Sequence, residues 1–377
     1  MTHKEDWESY SAQYAAAEAR HMDELCRRID GVKLCARASA LRGGVPCTVD
    51  LSRKKLSAMM GNQNCHVEIA FEDNITWLAR FRLTWTSSPP PEVRDFVLRS
   101  EAATMMFLQQ HTRVPSPRSD PLNALGAGYI LMDKLDGKPL EWDGATPAQR
   151  EKIMQQLADV FLDLESHPFD AMGSLVCAAD GAEVELQGLA HVATFRMGGG
   201  GPLGPFSSSV EGTHFTSRGQ FFLKHPDDKG DHILVNDQFE IVGMIDWEWM
   251  QTASRAGAFC SPCMMWPVAD FYNGSNDLTT DEMRLADIFR ERGRHDLAEC
   301  VVNGRRVQRL LFGLGPDGSF LDDKTFGSLL LGLRRAVDSS EERWEQWMAK
   351  ALERWKTDES LQRLLKLEKS RKTHDVP

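Results

Sequence analysis

Residues 221–249 read FFLKHPDDKGDHILVNDQFEIVGMIDWEW, and the rest of the chain is organised around them. Ile233, Leu234 and Val235 form an apolar run suited to a buried strand. Glu240 to Ile245 suits its hairpin partner, with Asn236 and Asp237 at the turn. The polar residues stand just outside these strands: His225, Asp227, Asp228, Asp231 and His232 before them, and Asp246 after. A hairpin returns to the end from which it started, so both sets converge. Carboxylates crowd together in a folded protein only if positive charge separates them, and a divalent cation with bound phosphate does so. An acidic, solvated loop is the plainer alternative, but it does not require Ile245-Asp246-Trp247-Glu248 at that distance.

In order and spacing the stretch resembles the catalytic segment of the aminoglycoside phosphotransferase and choline kinase branch of the protein-kinase-like superfamily. That pattern is H-x-D, a later Asn, a short apolar strand, then I-D-W/F-E. His225-Pro226-Asp227 matches the first block and Ile245 to Glu248 the last, while His232 stands at the Asn position. The run DDKGDHILV resembles a variant found in a fungal group of this family. The resemblance covers roughly residues 50–275. It implies an α+β, bilobal protein-kinase-like fold with a small β-rich N-lobe, a larger helical C-lobe and extra helices at both ends. The implied divisions are 1–48 (helical extension), 49–135 (N-lobe), 136–339 (C-lobe) and 340–377 (helical tail).

It also implies ATP- or GTP-dependent transfer of phosphate to a hydroxyl of a small molecule, with Mg2+ or, alternatively, Mn2+. Asp227 takes the place of the residue that orients the acceptor hydroxyl, and His225 holds the loop by hydrogen bonding. Asp246 matches the metal-binding aspartate. His232 offers nitrogen where the family has an amide oxygen, which suits magnesium less well than manganese or zinc. Either it ligates the metal, or it only steadies the loop while Asp228 or Asp231 supplies oxygen, or the site no longer transfers phosphate. Arg80, with Arg82 as second choice, stands for the family's lysine, and Glu101 for its glutamate partner. Gly61 and Asn62 lie in a small turn that could cover phosphates with backbone N–H groups. Met132 to Lys134 match the strand whose backbone meets adenine. Lys229 could reach a phosphate or an anionic substrate or simply pair with its acidic neighbours. Glu248 could hold a cationic acceptor or serve structure.

Composition sets limits. The 377 residues are 42% hydrophobic, enough for one large or two ordinary domains. A net charge of −11 favours neither nucleic acid nor an anionic membrane as general partner. No secretory h-region and no apolar run of membrane-spanning length stands out, so a cytosolic enzyme with reduced thiols at its eight cysteines is expected. The Cys260/Cys263 pair reads as buried thiols rather than a metal knuckle. If the family's machinery has been lost, the cleft would bind or convert a metabolite without phosphate, or the chain would serve as a scaffold through a face carrying Trp344, Trp347 and Trp355.

Periodicity predicts a helix from Glu92 to about His111, another over 147–167 capped by Thr146, and a hairpin of Cys65–Phe71 with Thr76–Leu83. Trp7, Tyr10, Tyr14, Ala17, His21 and Leu25 suggest an N-terminal helix packing on the core. Residues 178–220 read as a long irregular insertion. Helices are expected near 280–292, 294–312 and 322–338, and in the tail.

Overall fold

The computed structural model describes residues 16, 19–20, 23–61, 63–83, 89–119, 128–178, 183–189, 201–207, 219–313, 323–337, 342, 344–359, 361–363 and 365–366. Trp7, Tyr10, Tyr14, Ala17, His21 and Asn62 lie outside them.

The N-terminal half is an antiparallel sheet in the order β1 (Cys47–Val49), β2 (Asn64–Phe71), β3 (Thr76–Arg82) and β4 (Tyr129–Asp133). β2 and β3 form the expected hairpin, and Asn74 takes the turn position with φ 64°, a conformation Asn tolerates. Apolar residues of one sheet face, including Val67, Ile69, Ala79 and Leu131, pack with Leu25, Ile29, Leu34 and Ala38 of the preceding helical segment. Residues 25–38 are therefore part of this core. The Pro91–His111 helix carries Glu101 toward the sheet, and a Ser119 bridge closes the free edge of β4.

The remainder is mainly helical, giving the α+β arrangement expected. Its core is built on the Pro147–Glu165 helix, whose Thr146 and Gln149 form a reciprocal capping box, packed with the Thr280–Glu291 and His295–Val302 helices. Short strands sit between the helical layers: β5 (Lys138–Pro139), β6 (Ser174–Cys177), β7 (Val184–Gln187), β8 (Phe221–Lys224), β9 (Ile233–Val235), β10 (Ile241–Met244) and β11 (Gln251–Ser254). β9 pairs antiparallel with β10 through a bulge, and β5 covers its other edge. β8 pairs with β11.

Two sequence expectations are corrected. The 178–220 segment is not wholly irregular: β7 pairs with β6, and isolated bridges join Leu189 to Leu203 and Met172 to Phe206. The single helix expected near 294–312 is two, His295–Val302 and Gly304–Gly313. Asn303 turns its side-chain amide onto the Glu299 carbonyl oxygen at 3.1 Å, and Gly304 lies so close to Cys260 that an added Cβ would sit 3.0 Å from that residue's Cβ.

None of the eight cysteines is in a disulfide. Among the described residues no helix is long and apolar enough to cross a membrane. In the Trp344–Arg354 helix and just beyond it, Trp347 lies under the Arg334 guanidinium and Trp355 is 54% exposed.

Candidate functional site

The loop 225–232 leaves β8 and enters β9, while residues 245–250 leave β10 and enter β11. Two strand pairings thus fix both ends of both segments. Their junction is an imidazole: His225 Nε2 donates to the Ile245 carbonyl oxygen at 3.0 Å, and the Ile245 N–H donates to the His232 carbonyl at 2.9 Å. The His225 bond requires its Nε2–H tautomer, which leaves Nδ1 as a buried lone pair without a partner among the described residues.

His232 stacks on His225 with ring centroids 4.2 Å apart, and Trp247, fully buried, meets His225 edge-on at 4.8 Å. Burial drives the His232 pKa down to about 2, with the neighbouring positive charges adding to the effect, and burial lowers His225 as well. Two neutral rings therefore form the floor of the loop.

On that floor the acidic residues separate into distinct environments. Asp228 is nearly enclosed: its Oδ2 accepts from Lys224 Nζ at 2.7 Å, its Oδ1 accepts from the Cys263 N–H at 2.9 Å, and its carbonyl accepts from the Met264 N–H. The Asp228 charge holds the Lys224 ammonium above its usual range against the burial that would lower it. This pair ties the loop to the 263–264 segment and leaves Asp228 little reach toward a substrate. Asp227, by contrast, is 44% exposed and pairs with Lys229 at 3.0 Å. Between them and β9, Gly230 has φ 109°, where a Cβ would meet Met264 Sδ at 3.2 Å.

Asp246 stands across from this loop with φ 64°, a left-handed conformation that costs a non-glycine residue free energy and recurs at functional sites. Its carboxylate is 49% exposed, and its Oδ1 lies 2.5 Å from Arg80 Nη2. Burial would raise its pKa, but the Arg80 charge and hydrogen bond outweigh this and hold it below the ordinary value.

Arg80 and Glu101 do pair, inside a larger cluster. The Arg80 guanidinium also donates to Glu248 Oε2 at 2.8 Å, Arg82 donates to Glu248 Oε1, and Asn64 Nδ2 donates to Glu248 Oε2 at 2.8 Å. Burial pushes the Glu101 carboxyl up to about 8 in spite of Arg80 alongside. His66 on β2 is driven down to about 4 by burial and by the Arg80 charge. Glu248 is therefore the buried clasp between β2, β3 and the 246–249 segment, and it is not open to a cationic acceptor. No signal in the sequence links Asn64 to Glu248 across such a separation.

The other expected nucleotide contacts are folded differently. A short helix, Arg53–Ala58, precedes the 60–64 turn, and the Gly61 N–H donates to the Asn64 carbonyl at 2.8 Å. Met132 is paired on both sides, with Leu78 and Ser119. The Asp133 N–H donates to the Arg118 carbonyl and the Lys134 N–H to the Thr76 carbonyl, while Lys134 Nζ lies 2.5 Å from Glu68. These N–H donors are engaged within the protein as folded.

For a divalent cation, Asp246 supplies a half-exposed oxygen donor, whereas the enclosed, stacked His232 ring is suited to steadying the loop. Among the described residues no group of three or more His, Cys, Asp or Glu side chains is assembled as a metal site.

No family model matches the chain. Two subtelomeric hrmA-associated cluster proteins of Aspergillus fumigatus are similar to part of it. One is 33% identical over 92 residues, covering 22% of this chain and 18% of that protein. The other is 33% identical over 87 residues, covering 21% and 17%. The matched segment spans under a fifth of either relative's length. Among solved structures, the macrolide 2'-phosphotransferase of Brachybacterium faecium aligns over 82% of this chain and 99% of its own, at 14% identity and TM-score 0.38. An aminoglycoside 2'-phosphotransferase-IIIa in its GDP complex aligns over 74% and 90%, at 16% identity and TM-score 0.40. The ethanolamine kinase of Plasmodium vivax aligns over 77% and 82%, at 11% identity and TM-score 0.39.

Proposed function

We propose that this chain is a nucleotide-dependent phosphotransferase acting on a hydroxyl of a small molecule in the cytoplasm. The observation that carries the reading is that two half-exposed carboxylates, Asp227 and Asp246, stand one on each of the two segments clasped by the His225–Ile245 hydrogen bond. Phosphoryl transfer needs positioning and charge stabilisation more than covalent chemistry. Asp227 orients the acceptor hydroxyl and takes its proton, and Lys229 beside it offsets charge on an incoming oxygen. Asp246 would hold Mg2+ or Mn2+ through its half-exposed carboxylate, and the ion would offset negative charge on the phosphates of ATP or GTP. His232, neutral and enclosed, keeps the loop in register.

One observation favours a second reading. Arg80 already holds Glu101, Asp246 and Glu248, so a nucleotide phosphate must compete with three carboxylates for it. A diverged member that binds or converts a metabolite without phosphate needs no such exchange.

Calorimetry of the purified protein with ATP or GTP, and with magnesium, manganese or neither, separates the two. Metal-dependent binding that disappears in Asp246→Ala is expected. Absence of binding under every metal, or full binding in Asp246→Ala, would sink the phosphotransferase reading.

A further inference from the structure

Two thiols face one another where the N-terminal helical segment meets the sheet. Cys35 lies midway along the Gly31–Leu41 helix, and Cys47 opens β1, the edge strand of the sheet. The helix packs on the sheet core through Leu34 and Ala38, so the two side chains meet across an interface that is already formed. Cys47 Sγ lies 3.4 Å from the carbonyl oxygen of Cys35, 12 residues earlier in the chain. The two thiols are also within hydrogen-bond reach of each other.

Both residues are half-buried, so a small reagent in solution can reach them. Closing the pair to an S–S bond of about 2 Å asks for a small side-chain movement. The intervening turn can follow it: Gly43 and Gly44 have φ 68° and 91°, and an added Cβ at either would meet nothing within 4 Å. The neighbouring pair of Cys26 and Cys65 is set differently. Cys65 is fully buried, its thiol donates to the Leu56 carbonyl at 3.7 Å, and Cys26 acts on it by charge alone.

We propose that Cys35 and Cys47 form a modification site, a dithiol that closes to a disulfide on reaction with a low-molecular-weight disulfide such as glutathione disulfide and staples the helix to the edge of the sheet. The Cys35 thiolate attacks one sulfur of the reagent, forming a mixed disulfide and expelling one glutathione thiolate. The Cys47 sulfur then attacks the Cys35 sulfur and expels the second. The two cysteines lose two electrons and two protons, and one glutathione disulfide becomes two glutathione thiols. Burial, and then the Cys35 thiol beside it, push the Cys47 thiol up to about 11, which suits Cys47 to the second step. The share of that shift owed to Cys35 charge disappears once Cys35 is capped. The bridge closes a short loop, restricts the unfolded chain and so favours the folded one.

The test treats the full chain with glutathione disulfide and maps its peptides by mass spectrometry without reduction. A Cys35–Cys47 bridge is expected ahead of any other cysteine pair, and dithiothreitol should reverse it. It should form about tenfold faster in the folded chain than in the chain unfolded in urea, because the fold holds the thiols together. The oxidised chain should melt about 5 °C higher than the reduced one, a rise absent in Cys35→Ser and Cys47→Ser. The comparison of folded and unfolded rates uses the unaltered chain, so it stands even if a variant folds poorly. Cys35 and Cys47 left as thiols or as separate glutathione adducts, bridging no faster when folded than in urea, or equal bridging of Cys26 with Cys65 would each overturn the proposal. A bridge that leaves the melting temperature unchanged would remove the staple.

Discussion

Replacing Arg80 by methionine removes the cation that Glu101, Asp246 and Glu248 share, while keeping much of the side-chain volume. Arg80 is 4% exposed, Glu101 2% and Glu248 7%, so water cannot take over the lost role without opening the structure. At contact distance and an effective dielectric of about 20, one such pair is worth about 4 kcal/mol. Arg82 remains, but it faces three carboxylates instead of sharing them. Glu101, already raised to about 8, relieves part of the repulsion by keeping its proton. Removing one partner from a buried pair costs about 3–5 kcal/mol, and that is the expected loss. Denaturant unfolding followed by tryptophan fluorescence measures it; Arg290→Met, which breaks the half-exposed pair with Asp287, is the control and should cost under about 1 kcal/mol. In Arg80→Met/Glu101→Met part of the loss should return, because a polar carboxyl group is no longer buried without its partner. A loss under about 1 kcal/mol for Arg80→Met would refute the idea that this guanidinium holds the sheet, the long helix and the 246–249 segment together.

His66 and His232 are neutral when folded, with pKa values lowered to about 4 and about 2, and both take up a proton on unfolding below about pH 6.5. Stability should therefore fall as pH drops from 6.5 to 5, by about 2 kcal/mol per ring, and His232→Asn should flatten that slope; an unchanged slope would mean the ring is hydrated when folded. Gly230→Ala places a Cβ at φ 109° against Met264 and should cost about 1–3 kcal/mol in denaturant midpoint measurements, whereas a neutral result would show that the 228–231 turn relaxes freely.

The readable parts of the sequence were those with local signals. The hairpin of β9 and β10, the hairpin of β2 and β3, and the capped Pro147–Glu165 helix each follow from periodicity, turn residues or an N-cap within a few positions. Glu101 and Arg80 could be paired because each occupies a set place in a strand or helix. What Glu248 does was not legible, since its partners Asn64, Arg80 and Arg82 lie far upstream and any acidic residue beside Trp247 reads alike. The same limit applies to Lys134, whose backbone N–H is taken by Thr76 through strand register, a property of pairing rather than of composition. The break at Asn303 depends on one side-chain amide and one close approach by Gly304, neither of which disturbs the helical pattern around it.

The clasp at Glu248 also orders events during synthesis. The chain emerges from its N-terminus, so β2, β3 and the Pro91–His111 helix are available long before residue 248. Until then Arg80 and Arg82 must stay hydrated or rely on Glu101 alone, and the sheet cannot close over them in its final form. The contact that completes the first half is thus delivered by the second, which makes the nascent N-terminal sheet dependent on residues the ribosome has not yet added.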